Sequence, residues 1–197
     1  MIASLVGSEM CIRDRVEVVP TAHYLMGGIV VDTDTRTDLP GLYVAGEDAG
    51  GAHGSNRLGG NGVANSTVYG GVAGDVMGQD CQEIKALHDP DETVLDEELT
   101  RAMTPFSQKP CDVTALRNSL QDVMWEDVGV MRDADGLQRG LKRIAEIDDE
   151  LSSVGVAADN LAFNLSWHDW LNLRSLIDMS IVIAKAALSR ENSRGAH

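Results

Sequence analysis

The feature that most constrains this fold is a ten-residue stretch rich in glycine that runs into a helix-compatible segment. Residues 53–62 read HGSNRLGGNG. Glycine permits positive φ and lets backbone approach a ligand closely, and the planar fork of Arg57 can bind a carboxylate or phosphate with two bonds. We predict a helix capped by Asn61, with the N–H groups of Gly62, Val63 and Ala64 as open donors at its positive end. The stretch predicts an anion- or cofactor-facing loop, although a plain surface loop has the same composition.

Charge and composition restrict the class of function. The 197 residues include 16 basic and 31 acidic side chains, for a net charge of −15, and 43% are apolar. A chain of this charge is a poor ligand for nucleic acid or for an anionic membrane surface. The three cysteines, Cys11, Cys81 and Cys111, lack metal-ligand spacing, so we predict reduced thiols and no metal site. We find no apolar run of transmembrane length.

The first half of the chain has an α/β pattern. Residues 1–15 fit nothing that follows and resemble translated sequencing-adapter read-through, so we expect them to be non-native. Three strands and one helix are predicted after them, at 16–19, 29–32, 42–47 and 62–78. The last strand ends at Glu47, and an acid just past a strand end is where α/β folds hold a ribose hydroxyl.

The second half is helical. Residues 81–111 form a connection with a short helix near 93–103, and three amphipathic helices follow at about 112–125, 137–151 and 164–189. Asp112 is a candidate cap for the first of these. Three such helices in succession predict an all-α helical bundle over 112–197.

The bundle predictions name specific core positions. In the first helix they are Leu116, Leu120, Val123 and Met124, and in the second they are Leu137, Leu141, Ile144, Ile147 and Leu151. In the third they are Trp167, Trp170, Leu173, Leu176, Ile177, Ile181 and Ala184. We expect the tryptophans and methionines to pack in the core rather than to contact a cofactor.

Ordered motifs give the chain a family resemblance. They are PTAHYLMGG at 20–28, PGLYVAGE at 40–47 and HGSNRLGGN at 53–61, followed by MWEDVGVMRD at 124–133 and SRGAH at 193–197. Together they resemble the flavoprotein subunit of succinate dehydrogenase and fumarate reductase, over about residues 16–197. L-aspartate oxidase shares much of this plan, but the glycine-rich sequence after the arginine favours the first family.

The resemblance implies an FAD-binding domain segment at 16–80 and a C-terminal helical domain at 112–197. His23 and Arg57 match the residues that hold a dicarboxylate substrate, and Glu47 matches the acid that binds a ribose hydroxyl of FAD. The cofactor-facing helix start is Asn61, Gly62 and Val63, where the family usually has serine and leucine at the last two positions. The implied chemistry is hydride transfer between flavin and dicarboxylate, and no residue of this chain matches a proton-transfer catalyst.

The sequence also departs from the family pattern. No GxGxxG follows a strand, and the capping domain with its proton-delivering arginine is missing, as is the histidine that links FAD covalently in many members. We therefore expect a fragment of a longer enzyme that is inactive alone and binds FAD weakly or not at all. The expected partners are a dicarboxylate and an iron–sulfur subunit, and the expected location is cytoplasmic, peripheral at the inner face of the cytoplasmic membrane. Two alternatives stay open: an L-aspartate oxidase fragment, and a non-catalytic helical module that docks an iron–sulfur subunit.

Overall fold

The structure is a computed structural model that describes residues 23–86, 89–157, 159–195 and 197. The expected non-native segment at 1–15 and the predicted strand at 16–19 lie outside the described residues. The helices are α1 (Asn61–Glu83), α2 (Glu92–Met103), α3 (Val113–Glu126), α4 (Ala134–Ser153) and α5 (Leu165–Ser189). A 3₁₀ turn occupies Thr104–Phe106, and β1 (Lys109–Pro110) pairs in parallel with β2 (Val154–Gly155).

The chain between residue 23 and α1 is mostly irregular. The predictions of strands at 29–32 and 42–47 are wrong, because the described residues there form only single bridges. Ile29 bridges to Ala49, and Tyr43 bridges to Arg36. A strand needs a continuous ladder of backbone hydrogen bonds to a neighbour. These two segments do not pair with each other, so their apolar residues build turns and bridges instead of a sheet.

The start of α1 corrects the predicted cap. Gly60, not Asn61, is the N-cap; it has φ 87° and makes no side-chain cap hydrogen bond. The chain enters the helix through a left-handed residue, which glycine adopts without steric cost, so Asn61 becomes the first helical residue. The helix also extends to Glu83, beyond the predicted end at residue 78.

Two side-chain contacts fix α1 to the irregular segment. Buried Asn65 donates through Nδ2 to the carbonyl of Gly46 at 3.1 Å. Farther along the helix, Asp80 accepts two bonds from Arg36, at 3.0 and 2.8 Å, and one from the Tyr43 hydroxyl. The bonds from Arg36 and then from Tyr43 lower the pKa of Asp80. The Asn65 contact holds the segment beside the N-terminal part of α1, and the Asp80 contacts hold it near the C-terminal end of the helix.

The three helices of the predicted bundle are present, but the segment is not all-α, because β2 (Val154–Gly155) lies between α4 and α5. Helices α3, α4 and α5 pack on one another around a single core, whose largest fully buried side chains are Val123, Ile144, Leu151, Leu173 and Ile177. Asp112 caps α3 by accepting from the N–H groups of Thr114 and Ala115 at 3.0 and 3.3 Å, as predicted.

Some of the predicted core positions are buried and others are exposed. Trp170 is buried and Trp167 packs against the core, and their indole N–H groups donate to the carbonyls of Val154 and Ala102 at 2.9 and 2.8 Å. The prediction is wrong for Trp125, which is 57% exposed, since that residue lies on the solvent side of α3 near its end. It is likewise wrong for Leu176 and Met179 on α5 and for Met131 before α4, which are 45%, 49% and 88% exposed. No helix in the described part of the chain is long and apolar enough to span a bilayer.

Candidate functional site

A cleft of about 510 Å³ opens beside the N-terminus of α1. It is lined by His23, Tyr24, Glu47, Arg57, Gly60, Gly62, Val63, Ser66 and Thr67. Five of the six residues that the sequence singled out therefore surround one cleft. The sixth, Asn61, is the first residue of α1 and does not line it. The larger cleft of about 610 Å³ runs along α2 and contains none of these residues.

Arg57 contacts the ring of Tyr24 and the backbone of Leu58. Its guanidinium carbon lies 4.4 Å from the centre of the Tyr24 ring, a cation–π arrangement. Its Nη1 donates to the carbonyl of Leu58 at 3.2 Å, while its buried Nε has no partner among the described residues. A buried donor without an acceptor costs about 1–3 kcal/mol, so Arg57 has a donor that the described residues leave unsatisfied.

Tyr24 is the residue that the sequence reasoning missed. Its ring lies between Arg57 and His53, with the His53 ring edge-on at 5.2 Å and 83°. Its hydroxyl is buried and unpaired among the described residues. The available signal was its position directly after His23 in the first family motif. Gly62 leaves room for this ring, because a Cβ at residue 62 would lie 3.0 Å from Tyr24 Cε2.

The first turn of α1 presents backbone donors to the cleft. The N–H of Asn61 donates to the carbonyl of Leu58 at 3.2 Å, and the N–H of Ala64, predicted to be open, donates to the carbonyl of Gly60 at 3.5 Å. Within the described chain, the N–H groups of Gly62 and Val63 have no acceptor. Since they point from the positive end of a helix, they suit an anion or an electron-rich ring oxygen.

Glu47 and His23 lie at the rim of the cleft. Glu47 accepts the backbone N–H of Leu25 through Oε1 at 2.8 Å, which ties the segment around His23 to the end of the 42–47 run. His23 is exposed, and its ring makes no hydrogen bond to the other described residues. Across residues 23–86, 89–157, 159–195 and 197, no group of three or more histidine, cysteine or acidic side chains is arranged to hold a metal ion.

Comparisons with known proteins identify the family. Residues 117–197 match the family model described as the fumarate reductase flavoprotein C-terminus, and residues 12–63 match that of an FAD binding domain. A fumarate reductase (CoM/CoB) subunit from Methanothermobacter marburgensis is 34% identical over 184 residues, which cover 93% of this chain and 33% of that protein. The chain belongs to the family of FAD-dependent oxidoreductases that includes the flavoprotein subunits of fumarate reductase and succinate dehydrogenase and the L-aspartate oxidases. The predicted family is therefore confirmed.

Other members of the wider group match this flavoprotein equally well. L-aspartate oxidase 1 of Ralstonia nicotianae is 37% identical over 192 residues, covering 94% of this chain and 33% of that protein. Among solved structures, the apo Sdh1 complex of Mycobacterium smegmatis superimposes with a TM-score of 0.88 and 37% identity, over 94% of this chain and 32% of that one. The chain thus spans about a third of the length of its relatives, and sequence identity does not rank fumarate against aspartate as the substrate.

Proposed function

We propose that this chain forms the substrate- and flavin-facing part of an FAD-dependent oxidoreductase that interconverts succinate and fumarate. One observation carries the proposal: Arg57, whose buried Nε has no acceptor among the described residues, lines the same cleft as His23 and the open amides of α1. A single cleft with a fixed cation, a histidine and a helix N-terminus can bind a carboxylate beside an electron-rich ring.

The residues of the cleft fit a flavin. We assign the amides of Gly62 and Val63, with Asn61 before them, to the side that meets the flavin ring, and Glu47 to a ribose hydroxyl. The match of residues 12–63 to an FAD binding domain supports this assignment. The bound flavin supplies hydride transfer. The helix N-terminus stabilises negative charge placed beside it, which is its contribution to that chemistry.

The dicarboxylate is assigned to Arg57 and His23. Arg57 offers parallel N–H donors to one carboxylate, and its contact with Tyr24 restricts the orientation of the guanidinium. His23, exposed at the rim, can donate to the same carboxylate. Fixing one end of a small substrate in this way sets the position of its reacting carbon–carbon bond.

The electron partner proposed for this flavoprotein is an iron–sulfur subunit. Support comes from the relative in M. marburgensis, which is named as one subunit of its enzyme. A peripheral position at the cytoplasmic face of the membrane belongs to the same proposal. It is supported by a quinol–fumarate reductase structure that contains menaquinol, with a TM-score of 0.79 and 27% identity to this chain.

L-aspartate oxidation is the second candidate function. The match to L-aspartate oxidase 1, at 37% identity, favours L-aspartate as directly as the match to the M. marburgensis fumarate reductase subunit favours fumarate. An assay of the full-length flavoprotein that carries this sequence distinguishes the two functions. The reduced enzyme is mixed with fumarate, and the oxidised enzyme is mixed with succinate or with L-aspartate. The flavin absorbance is followed in each case. Oxidation of L-aspartate without any reaction with succinate would replace the proposed substrate.

The substrate role of Arg57 is tested by Arg57→Lys in the same flavoprotein. Lysine keeps the charge and loses the fork. A charge-assisted hydrogen bond is worth about 1.5–3 kcal/mol, so fumarate affinity should fall roughly 10- to 100-fold while the FAD content stays the same. His23→Ala should act in the same direction, and the double variant should lose less than the sum, because both residues address one ligand.

Arg117→Lys is the matched control. Arg117 lies on α3, partly exposed, with Asp169 at 3.5 Å as its ion-pair partner, and it is absent from the cleft lining. This variant should bind fumarate normally. If Arg57→Lys also binds fumarate normally, Arg57 is not a substrate ligand. If it loses flavin and stability before fumarate affinity, the arginine supports its own glycine-rich loop instead.

A further inference from the structure

The end of the chain returns to the glycine-rich loop. Gly195 has φ 63°, and a Cβ placed on it would lie 2.1 Å from the carbonyl oxygen of Ser55 and 2.8 Å from Ser55 Cβ. Ser55 is two residues before Arg57. We propose that Gly195 is a positioning residue for Arg57. The tail, residues 190–195 and 197, packs against the loop at Ser55 and thereby sets the position of the guanidinium. This inference rests on the proposed dicarboxylate role of Arg57.

The loop has little support of its own. Within the described chain, Gly54, Ser55 and Asn56 make no hydrogen bond, and Arg57 bonds only to the carbonyl of its neighbour Leu58. A segment with so few internal bonds takes its conformation from the surfaces that pack against it. The backbone of Gly195 is one such surface, and it approaches the Ser55 backbone too closely for any side chain at residue 195.

The tail, in contrast, is internally fixed. Arg194 and His197 exchange two backbone hydrogen bonds, at 3.0 and 3.2 Å, which close a turn around Gly195. Ser193 Oγ donates to the carbonyl of His197 at 3.3 Å. The imidazole Nε2 of His197 lies 3.0 Å from the carbonyl of Arg190, at the end of α5. The turn therefore presents Gly195 in one defined conformation.

The turn is also tied to the bundle. Arg132, between α3 and α4, donates through Nη2 to His197 Nδ1 at 2.8 Å and through Nη1 to the carbonyl of Val128 at 3.2 Å. Arginine can only donate, so Nδ1 accepts, and Nε2 carries the hydrogen that goes to Arg190; this tautomer follows from the hydrogen-bond network. A continuous set of contacts thus leads from the buried core, through Arg132 and the tail, to the loop that carries Arg57.

Gly195→Ala tests the inference. The added methyl group requires Ser55 or the tail to move by about 1 Å, which displaces the guanidinium of Arg57 and weakens its charge-assisted hydrogen bonds to a fumarate carboxylate. In the full-length flavoprotein that carries this sequence, fumarate added to the oxidised enzyme is titrated by the flavin spectrum. We expect roughly 10- to 100-fold weaker fumarate binding with unchanged FAD content.

A second measurement reads the loop directly in the 197-residue chain. Trypsin cleaves after arginine, so the rate of cleavage between Arg57 and Leu58 reports how tightly the loop is held. We expect Gly195→Ala to raise this rate several-fold without lowering the melting temperature of the bundle. Arg132→Met, which removes the tie between bundle and tail but keeps Gly195, should change both measurements in the same direction.

Gly41→Ala is the matched control. Gly41 also has a positive φ, 83°, but no atom lies within 4 Å of the added Cβ, so this variant has the backbone strain without the collision. It should match the wild type in both measurements. The inference is overturned if Gly195→Ala behaves like Gly41→Ala, or if trypsin cleavage accelerates while fumarate affinity is unchanged. A wild-type enzyme that binds no fumarate overturns the proposed function instead, and trypsin cleavage then still decides whether the tail supports the loop.

Discussion

Two leucines on α5 offer a sharp test of the bundle. Leu173 is 0% exposed and belongs to the core, while Leu176, less than one turn away, is 45% exposed. Leucine to alanine at a fully buried site costs about 2–5 kcal/mol, because the lost transfer free energy is joined by the cost of a cavity. At Leu176 about half of the side chain already contacts water and no closed cavity forms, so the expected cost is about 1 kcal/mol or less.

The measurement is thermal and urea unfolding of the 197-residue chain, followed by helical circular dichroism. The bundle, residues 113–189, is the size of a domain of 60–100 residues. In such a domain, each kcal/mol of lost stability lowers Tm by roughly 4–8 °C. Taking about 3 kcal/mol for Leu173→Ala, we expect Tm to fall by roughly 12–24 °C, against less than about 8 °C for Leu176→Ala. The urea midpoint should fall in the same order with an unchanged slope, which shows that the stability has changed and not the denatured state.

The comparison between the two variants can refute the reasoning. Both residues have the same chemistry and share one helix, so differences in helix propensity cancel. Equal losses, or a larger loss at Leu176, would mean that α5 presents a different face to α3 and α4. A loss below about 1 kcal/mol at Leu173 would mean that the core around it is loosely packed.

Two further predictions concern side chains outside the bundle interior. Burial, followed by the charge of Glu150, raises the pKa of the Cys111 thiol. Iodoacetamide at pH 8 should therefore modify Cys111 more slowly than exposed Cys81, and Glu150→Gln should speed the reaction of Cys111. Equal reaction rates of Cys111 and Cys81 in the folded chain would contradict the raised pKa. Because folding raises this pKa, the stability that the protonated thiol contributes is lost as pH rises through it. Asn65→Ala leaves the carbonyl of Gly46 without its buried donor, at a cost of about 1–3 kcal/mol, so amide exchange around Gly46 should accelerate roughly 5- to 100-fold; unchanged exchange measured by mass spectrometry would show that the bond does not hold the segment.

Local sequence patterns determined most of the helical structure. Asp112 before an apolar periodic run predicts the start of α3, and the spacing of Leu137, Ile144, Ile147 and Leu151 predicts the buried face of α4; all are found as expected. These features depend on hydrogen bonds and side chains three or four residues apart. The family motifs, likewise, are readable without a structure, and they brought His23, Arg57 and Gly62 into consideration before their shared cleft was visible.

Tertiary structure alone decided the rest, and the reason is separation along the chain. Nothing near Leu176 in the sequence distinguishes it from Leu173, since only the placement of α3 and α4 determines which side of α5 is covered. The contact of Gly195 with Ser55 joins residues that lie far apart along the chain. Periodicity and capping describe neighbours within a few residues, whereas such contacts depend on how the whole chain packs, and that packing brings the tail to the loop of Arg57.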